Sequence, residues 1–247
     1  ACNLVDTTVP SDRFEAKQEL RSFFFDTDTK IYNKLRLNLG MRFEDSRQDI
    51  TTYEGSQLVE VQNSLIMKDY LPAAGLTYFL TDSMQIRFGY SETISRPAFK
   101  DLNPVGYYDD ERDRSVNGNP NLSGTIITNL DARIEWYFGN QENISLGVFD
   151  KEFQNPIEEV AGSFQNGVLT YSEGGFQLAN VGNAKVRGFE LEFRKNFGFL
   201  HPRLQPLALG GNYAYIDSEM QIFEELSSQV TNTSRPLQGQ SPYVINV

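Results

Sequence analysis

Residues 34–44 read Lys34-Leu35-Arg36-Leu37-Asn38-Leu39-Gly40-Met41-Arg42-Phe43-Glu44. Leu35, Leu37, Leu39, Met41 and Phe43 fall on one side of an extended chain. Lys34, Arg36, Asn38, Gly40, Arg42 and Glu44 fall on the other. A β-strand turns successive side chains to opposite faces, so this segment has one wholly apolar face and one polar, charged face. The same alternation recurs along the chain. Met84, Ile86, Phe88 and Tyr90 alternate with Gln85, Arg87, Gly89 and Ser91. Ile126, Thr128, Leu130, Ala132, Ile134 and Trp136 alternate with Asn129, Asp131, Arg133 and Glu135. Phe189, Leu191 and Phe193 alternate with Glu190, Glu192 and Arg194.

On both sides of this segment the pattern predicts strands, over 13–25, 32–50, 71–80, 84–95, 124–138, 143–156, 184–197, 204–216 and 241–247, with a further hairpin over 168–178. The connections alternate in size. Short ones are expected at 26–31, 81–83, 139–142 and 198–203, long ones at 51–68, 96–123, 159–183 and 217–240. Soluble sheets have no reason to keep such a rule, and long unstructured loops are uncommon in compact domains. Transmembrane barrels do keep it, with short periplasmic turns and long extracellular loops. The expected fold is therefore all-β: an antiparallel transmembrane β-barrel segment with its apolar side chains towards lipid. Aromatics cluster beside the short turns: Trp136, Tyr137 and Phe138, then Phe79, then Phe197 and Phe199, then Phe23, Phe24, Phe25 and Tyr32. This is expected of an interfacial girdle, although strands favour aromatics in any case.

Composition is compatible. The 247 residues are 39% hydrophobic, with a mean hydropathy of -0.44. No run reaches the 18 or so apolar residues of a membrane helix. Barrel strands hide their apolar residues at every second position, so low mean hydropathy does not argue against a membrane. The formal charge of -11 disfavours nucleic acid, which needs clustered Lys and Arg. Cys2 is the one cysteine and His201 the one histidine. An internal disulfide and a multi-Cys zinc site are therefore excluded, and the one histidine falls in a short turn away from the rim, which argues against a Ser-His-Asp triad there. No cofactor and no metal site is expected. Nine strands do not close a barrel, because bacterial single-chain barrels have even strand numbers and an open edge in lipid leaves backbone groups unpaired. The chain is expected to be an incomplete barrel.

Several motifs resemble one family. They are Gln85-Ile-Arg-Phe-Gly-Tyr-Ser-Glu-Thr-Ile-Ser-Arg-Pro-Ala-Phe-Lys-Asp-Leu-Asn-Pro104, Gly118-Asn-Pro-Asn-Leu122, Thr128-Asn-Leu-Asp-Ala-Arg-Ile-Glu-Trp-Tyr-Phe138, Phe149-Asp-Lys-Glu-Phe153 with Pro156-Ile-Glu158, Asn180-Val-Gly-Asn183 with Val186-Arg-Gly-Phe-Glu190, and Arg235-Pro-Leu-Gln-Gly-Gln-Ser-Pro-Tyr-Val-Ile-Asn246. In this order they resemble the TonB-dependent outer-membrane receptors. The resemblance implies that residues 1–247 are part of the C-terminal half of a 22-stranded barrel, without the plug domain and the final strands. It implies an active-transport receptor in the bacterial outer membrane that takes a metal chelate, a cobalamin-like molecule or a glycan at its outer rim. Its implied partners are the lipid bilayer, its own plug, the TonB complex, a nutrient ligand and, in some receptors of this type, a lipoprotein. A passive porin or an adhesin barrel is the alternative. An enzyme is not expected.

Two groups of residues are candidates for sites. Tyr107, Tyr108, Asp109, Asp110, Arg112 and Arg114 lie in a charged loop that either lines a ligand mouth or is internally paired and solvated. Arg87, Asp131, Arg133, Glu135, Glu190, Glu192 and Arg194 face inward, towards water or a plug. Ser95-Arg96-Pro97 reads as a strand exit, because proline removes a ladder donor. Gly118-Asn119-Pro120-Asn121 reads as turn chemistry.

Overall fold

A computed structural model describes residues 13–54, 59–104, 106–109, 113–139, 141–165, 168–170, 175–222, 232 and 234–247. Its strands are β1 (Phe14–Ile31), β2 (Leu35–Glu54), β3 (Val59–Thr81), β4 (Met84–Ser95), β5 (Tyr107–Asp109), β6 (Arg114–Asn117), β7 (Thr125–Gly139), β8 (Glu142–Gln154), β9 (Ile157–Ala161), β10 (Ser163–Gln165), β11 (Val168–Thr170), β12 (Gly175–Asn180), β13 (Gly182–Asn196), β14 (Ala208–Ile222), β15 (Ser234–Arg235) and β16 (Tyr243–Asn246). A single-turn helix, α1, spans Phe99–Leu102.

Ten of these strands form one antiparallel sheet, the wall. Its order is β1-β2-β3-β4-β7-β8-β13-β14, with β15 and β16 both pairing onto β14. Each expected wall strand is present, and β4 has the expected bounds. The cross-strand register carries the alternation from strand to strand. Leu37 pairs with Leu76, Ile86 with Ile134, Ile134 with Leu146, Leu146 with Leu191 and Leu191 with Tyr213. One continuous apolar outer face results, and Leu39, Phe88, Leu130, Val148 and Leu209 stand exposed on it. Nine apolar-alternating residues, Leu35 to Phe43, at about 3.3 Å rise and a tilt near 40° cover roughly 20 Å, which suits a barrel's apolar band of about 25 Å.

Three expectations need correcting. The first turn is at Tyr32–Lys34, not 26–31, because β1 stays in register with β2 as far as Ile31. The expected long loop at 51–68 is largely strand: β2 and β3 remain paired from Leu35↔Tyr78 to Glu54↔Val59, well past the apolar belt. Their polar upper halves still alternate, and a ladder satisfies backbone groups more cheaply than a loop. The aromatic expectation also splits by parity. Phe23, Phe43 and Tyr70 share one outer row at the loop end of the belt, not beside a short turn. The Phe43 and Tyr70 rings lie 5.2 Å apart. Phe24, paired with Arg42, belongs to the inner face. At the turn end, the Trp136 and Phe138 rings meet at a tilt of 57° with centroids 5.0 Å apart, and Lys195 lies over the Phe138 and Phe199 rings.

The buried core lies on the inner face at the loop end. Ile50, Leu102, Val116, Leu122 and Leu178 make one cluster, and Val160, Ala179, Val181, Ala184 and Met220 make the other. Both join wall to loop. The connections β4–β7 and β8–β13 contribute β5, β6, β9 and β12 to a second sheet of order β5-β6-β12-β9, in which β12 runs parallel to β6. Two of the long connections are thus folded together as one rim unit.

Candidate functional site

The inner wall has three levels. Nearest the turns, the register aligns Gln85, Glu135, Ser145, Glu192 and Asn212 across five strands. Arg133 reaches into this row. Its Nη2 donates to Ser145 Oγ at 2.6 Å and lies 2.5 Å from Glu192 Oε2, while Nε lies 3.3 Å from Glu135 Oε1. Gln85 also donates to Glu135, and Arg87 stands 3.8 Å from it. Four of the seven inward candidates, Arg87, Arg133, Glu135 and Glu192, therefore form one network with two charges of each sign. Glu192 is about half exposed, so its pair with Arg133 contributes little stability. The network keeps the wall polar and locally neutral.

The middle level holds a recess of about 670 Å³. Phe149, Phe153 and Val186 give it an apolar floor, and Asp131, Lys151 and Glu190 supply its charges. Asp131 lies over Gly89, where a Cβ would meet its carboxylate at 2.2 Å. Arg194, the last inward candidate, shares the inner parity of Glu190 and Glu192 and is exposed.

At the loop end the rim is bolted to the wall. Arg96, just past β4, sits between two nearly buried carboxylates, with Nη2 2.8 Å from Glu44 Oε2 and 2.7 Å from Asp69 Oδ2. Arg42 pairs with Glu44 from the other side at 2.5 Å. Gln48 donates to the Pro97 carbonyl at 3.1 Å, and Asn63 to the Pro120 carbonyl at 2.8 Å. Two motifs far apart in sequence also meet. Asn119 donates to Leu178 O at 3.1 Å, and Gln177 donates to Gly118 O at 3.2 Å. Asn180 accepts from Ser123 N at 2.8 Å and donates to Asn155 O at 2.7 Å. The segment after β14 joins the rim through Arg235, whose Nη2 lies 3.3 Å from Glu158 Oε2. Burial pushes the Glu158 carboxyl above its ordinary range, Arg235 opposes that shift, and the neighbouring Glu159 adds to it.

The charged-loop candidates are only partly described. Asp110 and Arg112 lie outside the described residues. Tyr107, Tyr108 and Asp109 form β5, paired with Arg114–Val116. Arg114 is a tie within the rim: it pairs with Glu159 and lies 4.2 Å from the centre of the Phe176 ring. Reasoning from sequence missed Arg96, Glu44 and Asp69 as a group. A signal was present, since an arginine placed at a strand exit before proline needs a counter-charge, but its partners lie 52 and 27 residues away.

The family model described as TonB dependent receptor-like, beta-barrel, matches residues 2–247. No relative of the chain is found among curated protein sequences. Among solved structures, the chain resembles the siderophore receptor PiuA from Acinetobacter baumannii, with a TM-score of 0.61 and 20% identity over 85% of this chain and 26% of that one. It resembles the Serratia marcescens hemophore receptor HasR, solved with its hemophore HasA and heme, with a TM-score of 0.61 and 12% identity over 82% of this chain and 35% of that one. A third is the alcaligin receptor FauA from Bordetella pertussis, with a TM-score of 0.55 and 17% identity over 83% and 31%. At these identities the likeness is one of fold. The chain spans about a third or less of the first two receptors' length.

Proposed function

The chain belongs to the TonB-dependent receptor β-barrel family, a family of transport receptors in the Gram-negative outer membrane, and from that premise we propose that the whole protein is an active importer of a scarce nutrient. It takes its ligand at the extracellular rim and passes it along the inner wall when the TonB complex moves a plug. One observation carries the reading. Long connections from one side of the sheet fold into a single rim unit above a polar wall with a mixed apolar and charged recess. A passive porin needs no such assembly over its own wall.

A chelated iron species is the favoured ligand class, because the similar receptors are described as siderophore and heme receptors. Cobalamin-like molecules and glycans are the other classes. Tyr107, Tyr108, Asp109, Asp110, Arg112 and Arg114 are proposed to lie at the ligand mouth. The inner network of Arg87, Arg133, Glu135 and Glu192, with Asp131, Glu190 and Arg194, is proposed to face the plug. A polar, internally neutral wall suits a plug contact that must be broken and remade.

The test is uptake by cells with and without the full-length gene. The probes are radioiron as ferric citrate or a ferric tricatecholate, and labelled cyanocobalamin. Gene-dependent uptake of one probe, abolished by a protonophore, is expected. Gene-dependent uptake that ignores the protonophore would replace active transport by a passive porin.

A further inference from the structure

We propose that the outer face of β1–β3 carries a site for a phosphorylated lipid headgroup of the outer leaflet, held by Arg21 and Lys68. The proposal rests on the outer-membrane placement of the proposed function and adds a lipid partner at a defined position.

The position follows from register. Phe23, Phe43 and Tyr70 share the last aromatic row of the apolar belt, and the next outer row towards the loops is Arg21, Asp45 and Lys68. Aromatic rings mark the level where acyl chains give way to headgroups. Arg21 and Lys68 therefore stand where lipid phosphates lie. The two cations sit on alternate strands about 10 Å apart, and their long side chains can converge on one anion. Phe23 and Tyr70, both widely exposed on the same face, continue the site into the hydrocarbon, so one occupant meets apolar and charged surface together. The surface is concave at this level. A recess of about 330 Å³ is lined by Glu19, Arg21, Asp45, Arg47, Ile66 and Lys68.

Pairing sets these two cations apart. Beyond the belt, the outer face carries Arg13 with Glu15, Lys17 with Glu19, Arg47 with Asp49, Lys185 with Glu152, and Arg187 with Asp150. Among the described residues Arg21 and Lys68 form no ion pair. The recess contains two carboxylates that oppose an anion. Glu19 is committed to Lys17, 2.6 Å away. Asp45 lies between the two cations and offsets one of them, so the described residues of the row carry one net positive charge. That balance selects a headgroup whose phosphate is anchored by its own acyl chains, since free phosphate gains only the weak electrostatic part. Arginine supplies a planar fork for phosphate oxygens, and lysine a point charge.

The experiment uses the full-length receptor purified from outer membranes. Lipid retention is read by native mass spectrometry with three probes: bisphosphorylated lipid A, the same lipid with its phosphates removed, and inorganic phosphate. The variants are the double substitution Arg21→Gln/Lys68→Gln and the control Arg187→Gln, which removes a cation already paired. We expect bisphosphorylated lipid A to be retained about tenfold or more better by wild type than by the double variant. Arg187→Gln should match wild type, and the dephosphorylated lipid should not distinguish the three proteins. Equal retention of both lipids by wild type, or no loss in the double variant, overturns the proposal. Displacement of the lipid by equimolar inorganic phosphate also overturns it, by showing a bare anion site. Membrane fractionation of the same cells separates this result from the transport reading. Protein absent from the outer membrane sinks both, whereas outer-membrane protein without phosphate-dependent retention sinks only this site.

Discussion

Arg96 reaches back past the end of its own strand to Asp69 on β3, Nη2 to Oδ2 at 2.7 Å, and the same nitrogen holds Glu44 on β2. One guanidinium thereby ties the start of the β4–β7 connection to two neighbouring wall strands. Side-chain exposures of 14%, 8% and 10% make this a nearly dry cluster. Removing Arg96 takes the counter-charge from nearly buried Asp69 and leaves Glu44 with Arg42 alone. Arg96→Ala should therefore cost about 3–5 kcal/mol of rim stability. The readout is the rate of protease cleavage within 96–124 in intact cells. Adding Glu44→Gln and Asp69→Asn to Arg96→Met should recover most of the loss, because the buried part of the cluster is then neutral and Arg42, which loses Glu44, is 41% exposed and can be solvated.

The contrast between wall and rim shows what a single sequence can carry. Wall strands are legible because each is two-faced by itself: Leu35 to Phe43 declares its parity without reference to any partner. Register then follows, since a slip by one residue would turn Leu37 or Ile134 inward. The rim is different. Gly118-Asn119-Pro120 and Leu178-Ala179-Asn180 each read as turn or strand-end chemistry, and nothing local says that Asn119 will meet Leu178. Such pairings depend on chain closure across about 60 residues. The same limit hid the Arg96 cluster. Phe24 is a case of composition misleading the eye, because three consecutive aromatics suggest a girdle while alternation puts the middle one on the other face.

Asn180 provides a direct test of the joint between the two loops. Its side chain serves Ser123 N, Ser123 O at 3.3 Å and Asn155 O. Asn180→Ala removes these bonds, but Ser123 and Asn155 are exposed and Asn155 O keeps Thr125 Oγ1, so the cost should be about 0.5–1.5 kcal/mol. Asn180→Asp keeps the acceptor for Ser123 N but loses both donors, so it should fall between alanine and wild type. Hydrogen exchange at Ser123 and through β12 checks this. If exchange rose in β12 alone, the two loops would not be acting as one unit.

Gly182 opens β13 with φ +154°, and a Cβ there would meet Gln221 O at 1.8 Å and Gln221 C at 2.9 Å. Backbone atoms cannot yield as a side-chain tip can. Gly182→Ala should destabilise by about 2 kcal/mol or more and open the β13–β14 ladder at its loop end. Gly75→Ala is the matched control on the same inner wall. Its Cβ would find Asn38 Cβ at 3.6 Å, an ordinary contact, so it should be neutral to slightly stabilising. Thermal unfolding of the two full-length variants in the same detergent decides between them.

Glu158 gives the rim a pH dependence of defined sign. Its carboxyl is held above the ordinary carboxylate range, chiefly by burial, against the pull of Arg235 and with the help of Glu159. A raised folded pKa means that the folded rim favours the protonated form. Below the unfolded pKa both states are protonated and no penalty exists. As pH rises through the unfolded pKa and then the folded one, the penalty appears and becomes complete. Glu158 should therefore weaken the joint between β9 and the 234–235 segment at neutral pH and leave it intact in mild acid. Glu158→Gln removes the titration and keeps the shape. The variant should show slower hydrogen exchange in β9 than wild type at pH 7, and the two should converge near pH 4. The freed Arg235 is about one-third exposed and can be solvated. A variant that exchanges faster than wild type at pH 7 would mean that the Arg235 attraction outweighs burial, and the pH dependence of the rim would then run in the opposite direction.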